Sequence, residues 1–301
     1  MTKSTAKDLS LLATVAEYRV LLARQIALLH GTGLRAAQKR VSSLYARGYL
    51  AMSNHDANWT RGRRENVYSV TEKAGALLQE EGTVAAATPA NRITGEAIVH
   101  VGHELLVNWV RIHLLQIDKH IPDLSTEFHS PQTPCLPLRQ NGMPTIADVV
   151  FVDEEKEWFI PDGVLSIVSQ KQDRRLLFFL EVDLATESLH SAHSSAATIS
   201  QKIRSYRAYF LAKGYKRYDK VGIPQLHGFR VLFLTSTPPR RESISGFMRT
   251  NPALDFIWIT AAEQLFRHGI AASIWARGGK SAPLDSILGP TLSCELPLPR
   301  L

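Results

Sequence analysis

Long hydrophobic runs and cysteines are both scarce in this chain of 301 residues. No stretch approaches the roughly 18 consecutive apolar residues of a membrane helix, and the first residues, MTKSTAKDLS, lack the apolar segment of a signal peptide. The two cysteines, Cys135 and Cys294, have no histidine or cysteine neighbours at metal-ligand spacing. A membrane protein, a disulfide framework and a zinc site are therefore not expected, whereas a cytoplasmic location is.

Positive charge is unevenly distributed along the chain. The sequence has 35 Lys and Arg against 28 Asp and Glu, a net charge of +7. Residues 1–82 hold twelve of these basic residues and seven of the acidic ones, so +5 of the +7 belongs to this quarter. The excess favours a polyanionic partner, and its distribution points to the amino-terminal region as the part that contacts DNA.

The amino-terminal quarter has the pattern of three helices, a hairpin and a fourth helix. Apolar residues recur at helical spacing from Lys7 to Tyr18, in ARQIALLHG and in LRAAQKRVSSLYARGYL. The third helix has an inner apolar face, expected to comprise Leu34, Ala37, Val41, Leu44 and Tyr45. Its outer, basic face comprises Arg35, Gln38, Lys39 and Ser42. YLAMS and ENVYSVT predict a β-hairpin, and TEKAGALLQEEG predicts the fourth helix.

This order resembles winged helix-turn-helix domains, whose usual phrases are matched by LYARGYL and YSVTEKAG. The resemblance covers nearly all of residues 8–81. It implies that the third helix enters the major groove while the hairpin contacts phosphates or the minor groove. The residues expected to bind DNA are Arg35, Gln38, Lys39, Arg61, Arg63 and Arg64. The alternative is that the winged helix serves in dimerisation or protein contact. Its basic residues would then be merely solvated.

A change of composition marks the next boundary. The segment TVAAATPANR is small, low in charge and interrupted by Pro89, which predicts a linker over 83–93 between a domain of 1–82 and one of 94–301. A long helix is expected to begin at Thr94 as its amino-terminal cap. Its polar stripe of His100, Glu104 and Asn108 is either a solvent-facing edge or the side through which Glu104 reaches an active site.

The second region reads as a β-rich centre flanked by helices. Strands are predicted in STEFHS, IADVVFV, EWFI, GVLSIVS, RRLLFFLEVD, LHGFRVLFLTST and DFIWIT. A helix is predicted in ISQKIRSYRAYFLAKG, an exposed turn in PPRRES, and a flexible tail in TLSCELPLPRL.

Carboxylates end a strand that is otherwise apolar enough to be central. Glu181 and Asp183 lie two residues apart, and so on one face. If GVLSIVS and RRLLFFLEVD form a hairpin that turns in SQKQD, residues whose numbers sum to about 343 lie opposite one another. Asp162 would then lie beside Glu181. Three converging carboxylates indicate a hard divalent cation such as Mg²⁺ or Mn²⁺, although Pro-Asp-Gly by itself is a common turn sequence.

These residues resemble the PD-(D/E)XK nuclease superfamily, in which a helix carries a Glu, a strand begins with an Asp and the next strand carries Glu-x-Lys. Glu104, Asp162 and Glu181 match in order and element. Asp183 occupies the position of the family's lysine, so the signature reads ExD. The resemblance implies that Lys202 of the following helix replaces that lysine. The catalytic candidates are thus Asp162, Glu181, Asp183, Lys202 and Glu104, and the metal candidates are Asp162, Glu181 and Asp183.

More closely, about residues 10–275 resemble the replication-relaxation family of plasmid and mobile-element proteins, through HELLVN, PDG, FFLEVDLATES, KIRSYRAYF and FRVLFLTST. The implied fold is α+β or α/β, a winged helix followed by a PD-(D/E)XK-like mixed sheet flanked by helices. The implied function is DNA binding with Mg²⁺- or Mn²⁺-dependent phosphodiester cleavage in replication or transfer. Two alternatives stay open. One is a non-catalytic replication or transcription factor. The other is an interaction module that brings a relaxase or replication initiator to an origin; the chain could also form a homodimer.

Overall fold

The computed structural model describes residues 5–55, 65–134, 142–185, 198–250, 254–289 and 292. The chain divides into two compact units, Met1–Ile112 with Gln132–Pro137 and His113–Pro131 with Leu138–Leu301. Residues 83–93, the predicted linker, belong to the first unit. Within the described ranges, no helix combines the length and the apolar character needed to span a membrane. The predicted tail, apart from Leu292, lies outside the described residues.

The first unit contains a winged helix, as the sequence predicts. Its elements are α1 (Ala6–Tyr18), β1 (Leu21–Leu22), α2 (Ala23–Leu29), α3 (Leu34–Ala46), β2 (Leu50–His55), β3 (Glu65–Val70) and α4 (Glu72–Glu80). β3 pairs antiparallel with β2 on one side and with β1 on the other. The two-residue strand β1 was not predicted, because an alternating pattern needs a longer run to be visible.

Helix α3 buries a narrower face than its sequence suggests. Ala37, Val41 and Leu44 are buried, but Leu34 and Tyr45 are 45% and 47% exposed, so the prediction that these two point inward is wrong. Both residues lie at the ends of the helix, and there the apolar face that contacts α2 no longer points toward the core. The apolar contact surface of α3 is therefore confined to its middle.

The long helix begins later than predicted. Helix α5 spans Val101–His120, preceded by short 3-10 turns at Ala90–Arg92 and Gly95–Ala97. The backbone N–H of Ile98 bonds to the carbonyl oxygen of Gly95, three residues earlier, as in a 3-10 turn, so no α-helix starts at Thr94. Arg19, which is 1% exposed, binds this segment: its guanidinium donates to the carbonyl oxygen of Thr94 from Nε at 3.0 Å and to that of Asn91 at 2.7 Å.

The second unit is built on a mixed six-stranded sheet. Its elements are β4 (Ser125–His129), β5 (Asp148–Val152), β6 (Glu155–Phe159), β7 (Gly163–Ser169), β8 (Arg174–Asp183), α6 (Ile199–Leu211), β9 (Arg230–Thr235), α7 (Pro238–Arg249), β10 (Ile257–Ala261), α8 (Ala262–His268) and β11 (Ala276–Arg277). The strand order is β11-β10-β9-β8-β7-β4, with β8, β9 and β10 mutually parallel and the other neighbours antiparallel. β5 and β6 form a separate hairpin. The predicted fold class is confirmed.

The register of the central hairpin is the predicted one. Gly163 lies opposite Leu180 and Ser169 opposite Arg174, so the numbers of paired residues sum to 343. β7 is buried at every position, as is β8 after Arg174, which is typical of strands covered on both faces. The prediction of an exposed turn at PPRRES is wrong: Thr237 caps α7 and Pro238 occupies its first turn, where proline's fixed φ favours helix initiation.

Candidate functional site

Asp162 and Glu181 are brought together by the central hairpin. Asp162 immediately precedes β7, and its backbone N–H donates to the carbonyl oxygen of Leu180 at 3.0 Å. Its carboxylate Oδ2 accepts a hydrogen bond of 2.7 Å from the backbone N–H of Val182. Asp162 thereby extends the hydrogen bonding between β7 and β8 by one residue, and its side chain is fixed beside Glu181.

Glu181 is a buried carboxylate held by one helix. Its side chain is 5% exposed, and Oε2 accepts a hydrogen bond of 3.0 Å from Nζ of Lys202. Oε1 accepts a hydrogen bond of 2.6 Å from the hydroxyl of Tyr206. Burial raises the pKa of Glu181 to about 7; the Lys202 ammonium opposes this rise and the Asp162 carboxylate adds to it. Ionisation of Asp162 and Glu181 at the same time is therefore disfavoured.

Lys202 and Tyr206 reach Glu181 because they lie one helical turn apart on α6. Thr198 caps the amino terminus of the helix: its hydroxyl accepts from the backbone N–H of Gln201 at 3.2 Å. The spacing of Lys202, Tyr206 and Tyr209 was visible in the sequence. A role for Tyr206 as a hydrogen-bond donor to the carboxylate was not predicted, since an aromatic residue at this spacing usually marks a core-facing position.

Further polar contacts fix α6 against the hairpin of β5 and β6. The Ser205 hydroxyl donates to Oε2 of Glu157 at 2.8 Å. The Tyr209 hydroxyl donates to Oδ2 of Asp148 at 2.6 Å, and Arg217 pairs with the same oxygen at 2.6 Å. Tyr206 and Tyr209 also contact Phe159 of β6 and Phe179 of β8, so both the hairpin and the central strand fix the helix that carries Lys202.

Asp183 has a different set of partners from Glu181. Its Oδ2 accepts a hydrogen bond of 2.6 Å from Nε of Arg240, in the first turn of α7, and its side chain is 3% exposed. Its Oδ1 accepts from the backbone N–H of Ala185 at 2.7 Å. Sequence reasoning missed Arg240, because the segment that carries it was taken for a turn.

Glu104 belongs to the first unit and is 7% exposed. Asn108, one turn further on, is 2% exposed, and its Nδ2 donates to the carbonyl oxygens of Tyr18 at 3.0 Å and Val20 at 2.8 Å. The solvent-facing interpretation of this stripe is therefore wrong for both residues. Burial lowers the pKa of Arg19 to about 10, an effect that the Glu104 charge opposes. A catalytic role for Glu104 stays a prediction.

The outer face of α3 carries the predicted DNA-binding side chains in exposed positions. Arg35, Gln38 and Lys39 are exposed. Two other basic residues near this helix are used internally: Arg47 pairs with Asp8 at 2.9 Å and Arg40 with the same carboxylate at 3.6 Å. The wing residues Arg61, Arg63 and Arg64 lie outside the described part of the chain.

The donor set suits a metal site of two carboxylates better than one of three. Among the described residues, no group of three or more His, Cys, Asp or Glu side chains is arranged to hold a metal ion. Asp183 is bound by Arg240 and a backbone N–H, and the adjacent pair Asp162 and Glu181 is bound by the Val182 N–H, Lys202 and Tyr206. A Mg²⁺ ion is commonly held by one or two carboxylates, with water and substrate phosphates as its other ligands. Asp162 and Glu181 supply that number of carboxylates, and an ion held there would share their oxygens with these donors.

Comparisons with known proteins give one family match and two short matches to solved structures. The family model described as Replication-relaxation matches residues 12–226. No curated protein sequence is significantly similar to the chain. Two solved mutants of Lactococcus lactis ZitR are 24% and 23% identical over 27% and 28% of this chain, with TM-scores of 0.24 and 0.22.

The aligned segments cover 53% and 56% of the ZitR chains, so this chain spans about half the length of the solved structures it matches. Both TM-scores are too low for the likeness to carry an argument. The family match, in contrast, extends through the winged helix, β8 and α6, and supports a DNA-binding protein of replication. Because that match covers more than half of its residues, the chain belongs to the replication-relaxation family.

Proposed function

We propose that this protein binds DNA of a plasmid or mobile element through its winged helix and hydrolyses a phosphodiester bond at the pair Asp162 and Glu181, with Mg²⁺ or Mn²⁺. One observation carries the catalytic part. Nζ of Lys202 lies 3.0 Å from Glu181, so α6 supplies the ammonium group that the ExD signature lacks on its strand. This is the replacement that the family resemblance implies.

The two carboxylates would hold the ion. Asp162 is oriented by the Val182 N–H, and Glu181 is oriented by Lys202 and Tyr206. A bound Mg²⁺ would supply Lewis acidity toward the phosphate and lower the pKa of a bound water. Asp183, which Arg240 binds, is assigned the positioning of the end of β8 and not a ligand role.

Lys202 contributes a fixed positive charge next to the carboxylates. Its side chain is 24% exposed, against 5% for Glu181, so the ammonium group lies between the buried acid and solvent. An ammonium group in that position stabilises negative charge that develops on a phosphate in the transition state. The Tyr206 hydroxyl donates a hydrogen bond to Glu181 and so keeps this carboxylate in one orientation.

DNA recognition is assigned to α3. Its exposed residues Arg35, Gln38 and Lys39 combine two cations with an amide that can hydrogen-bond to a base edge. Phosphate contacts from the arginine and the lysine would set position, and Gln38 would read sequence. The basic excess of residues 1–82 supports this assignment.

A second candidate function is favoured by a specific observation. Both oxygens of Glu181 accept hydrogen bonds from protein groups, and the side chain is nearly buried. A degenerate nuclease fold, kept as a platform in a non-catalytic replication or transcription factor, would have these same contacts. The two functions differ in whether the carboxylate pair binds a metal ion.

Metal titration and plasmid nicking on the same samples separate the two functions. Wild-type protein, Asp162→Asn and Glu181→Gln are titrated with Mn²⁺ by calorimetry and then incubated with supercoiled plasmid and Mg²⁺ or Mn²⁺. The matched control is Glu157→Gln, which changes a carboxylate that faces the same helix through Ser205. Loss of binding and nicking in the two site variants alone supports the nuclease. Absence of Mn²⁺ binding by the wild type establishes the non-catalytic alternative.

A further inference from the structure

A second site is suggested at the opposite end of the central strands. A cavity of about 990 Å³ is lined by the first residues of β8 and β9, including Arg175 and Arg230, and by Arg277 of β11. Arg175 and Glu181 are six positions apart on β8, a distance of roughly 20 Å at the rise of a β-strand. The cavity is therefore distinct from the carboxylate pair.

The cavity walls carry an excess of positive charge. Four arginines, Arg174, Arg175, Arg230 and Arg277, face two aspartates, Asp173 and Asp255. Arg277 pairs with Asp255 at 3.3 Å, and Arg175 donates to the carbonyl oxygen of Tyr218 at 2.7 Å. Burial lowers the pKa of Arg230 and the Arg277 charge lowers it further, against the opposing effect of Asp285. An anion in the cavity would relieve this repulsion between the arginines.

Aromatic rings line the same cavity. Phe210 and Phe256 are stacked, with ring centroids 5.4 Å apart and an angle of 22° between their planes. The guanidinium group of Arg230 lies over the ring of Trp258, 4.6 Å from its centroid. Neither phenylalanine is fully buried, so part of each ring is exposed in the cavity wall that also holds the arginines. The volume lies within the range of small-molecule sites.

We propose that this cavity binds a nucleotide, that is, a phosphate group joined to an aromatic base. Arg230 and Arg277 would bind the phosphate, since planar guanidinium groups match its oxygens in pairs. Phe210 and Phe256 would contact the base through their ring surfaces. The nucleotide comes either from solution or from a single-stranded segment of DNA. The inference does not depend on metal-dependent cleavage at Asp162 and Glu181.

Calorimetric titrations in EDTA test the proposal. The probes are dAMP, deoxyadenosine, inorganic phosphate and a short oligothymidylate, each added to full-length protein in which Arg35→Ala and Lys39→Ala remove the cations of α3. The cavity variants are Arg230→Gln and Arg277→Gln. The control is Arg267→Gln, an exposed arginine of α8 that pairs with Glu263 at 2.7 Å. We expect dAMP or the oligonucleotide to bind, and each cavity variant to weaken that binding about tenfold.

The probes distinguish the two sources of nucleotide. Binding of dAMP that exceeds the binding of deoxyadenosine and of phosphate by about tenfold identifies a free nucleotide. Binding of the oligonucleotide alone, weakened by Arg277→Gln, identifies a strand. Equal affinity for phosphate and dAMP would overturn the proposal, and so would affinities that Arg277→Gln leaves unchanged. Arg277 is half-exposed, so its replacement keeps the test valid if Arg230→Gln does not fold.

Discussion

Lys202 and Glu181, which are 21 residues apart in the chain, form a contact of 3.0 Å between Nζ and Oε2. The contact joins α6 to the central strand β8, and the Tyr206 hydroxyl adds a second bond to the same carboxylate at 2.6 Å. A buried charge with two donors from one helix serves both the fold and the proposed chemistry, and these contributions can be measured separately.

Replacing Lys202 by Met should lower the free energy of unfolding by about 1–3 kcal/mol, because Glu181 loses a hydrogen-bond donor and its pKa, already raised by burial, rises further. Urea denaturation at pH 8 measures the change, since there the unfolded chain leaves Glu181 ionised while the folded variant must bind a proton or keep the charge buried. The double variant Lys202→Met with Glu181→Gln should recover part of that stability, since an amide needs neither the proton nor the counter-charge. Equal stability of the single and double variants would show that the ion pair contributes nothing to folding.

Replacing Arg35 and Lys39 by Ala should weaken DNA binding across all sequences. Each replacement should reduce the slope of log affinity against log salt by about 1, because one phosphate contact is lost. Gln38→Ala should instead alter sequence preference while leaving the slope unchanged. Binding isotherms at several salt concentrations measure both effects. Arg204→Ala, at an exposed arginine of α6, is the control, and an equal slope change there would remove the assignment to α3.

The buried His113 should make stability depend on pH. It is 2% exposed, and burial lowers its pKa to about 4 from an ordinary value of 6.5. The unfolded chain therefore takes up a proton that the folded protein excludes, so stability is complete above about pH 6.5 and falls as the pH decreases toward 4. The loss is on the order of 3 kcal/mol.

His113→Gln should remove this decrease, as measured by thermal or urea unfolding between pH 4 and pH 7. His120→Gln changes an exposed histidine at the end of the same helix, and in this variant the decrease in stability should persist. A wild-type stability that does not fall over this interval would contradict the prediction.

Replacing Asn108 by Leu should destabilise the first unit. The amide donates to the carbonyl oxygens of Tyr18 and Val20, where the chain leaves α1, and leucine of similar size removes both bonds. The Tyr18 carbonyl keeps its bond from the backbone N–H of Val20, so the expected loss is about 1–3 kcal/mol for the Val20 acceptor. Denaturation followed by circular dichroism measures the loss. Gln79→Leu removes an amide that donates to the carbonyl oxygens of Ala86 and Thr88 in less buried surroundings, so it should cost less, and an equal loss there would refute the argument.

The local features of this fold were predictable from sequence, whereas the long-range polar contacts were not. The register that places Asp162 beside Glu181 follows from a short hairpin, in which turn position and alternation fix every pair. The start of α5 was mispredicted: a 3-10 turn forms at Gly95–Ala97, and the preceding Thr94 carbonyl accepts from Arg19, 75 residues away, a contact that local patterns do not contain. Arg240 was missed as a partner of Asp183 for a similar reason: 57 residues separate them, and periodicity contains no information about such distances.

Strand β8 pairs antiparallel with β7 from Arg174 to Leu180 and parallel with β9 from Phe178 to Asp183. Arg175 and Glu181 lie on this one extended strand, so the distance between them is set by the rise of the strand. If a nucleic-acid strand occupies the arginine cavity while it is cut at the carboxylates, β8 sets the distance between the bound nucleotide and the cleaved bond. The roughly 20 Å between Arg175 and Glu181 equals about six nucleotides at the 3.4 Å spacing of a duplex strand. Cleavage would then fall at a set distance from an anchored nucleotide, whatever the sequence between them.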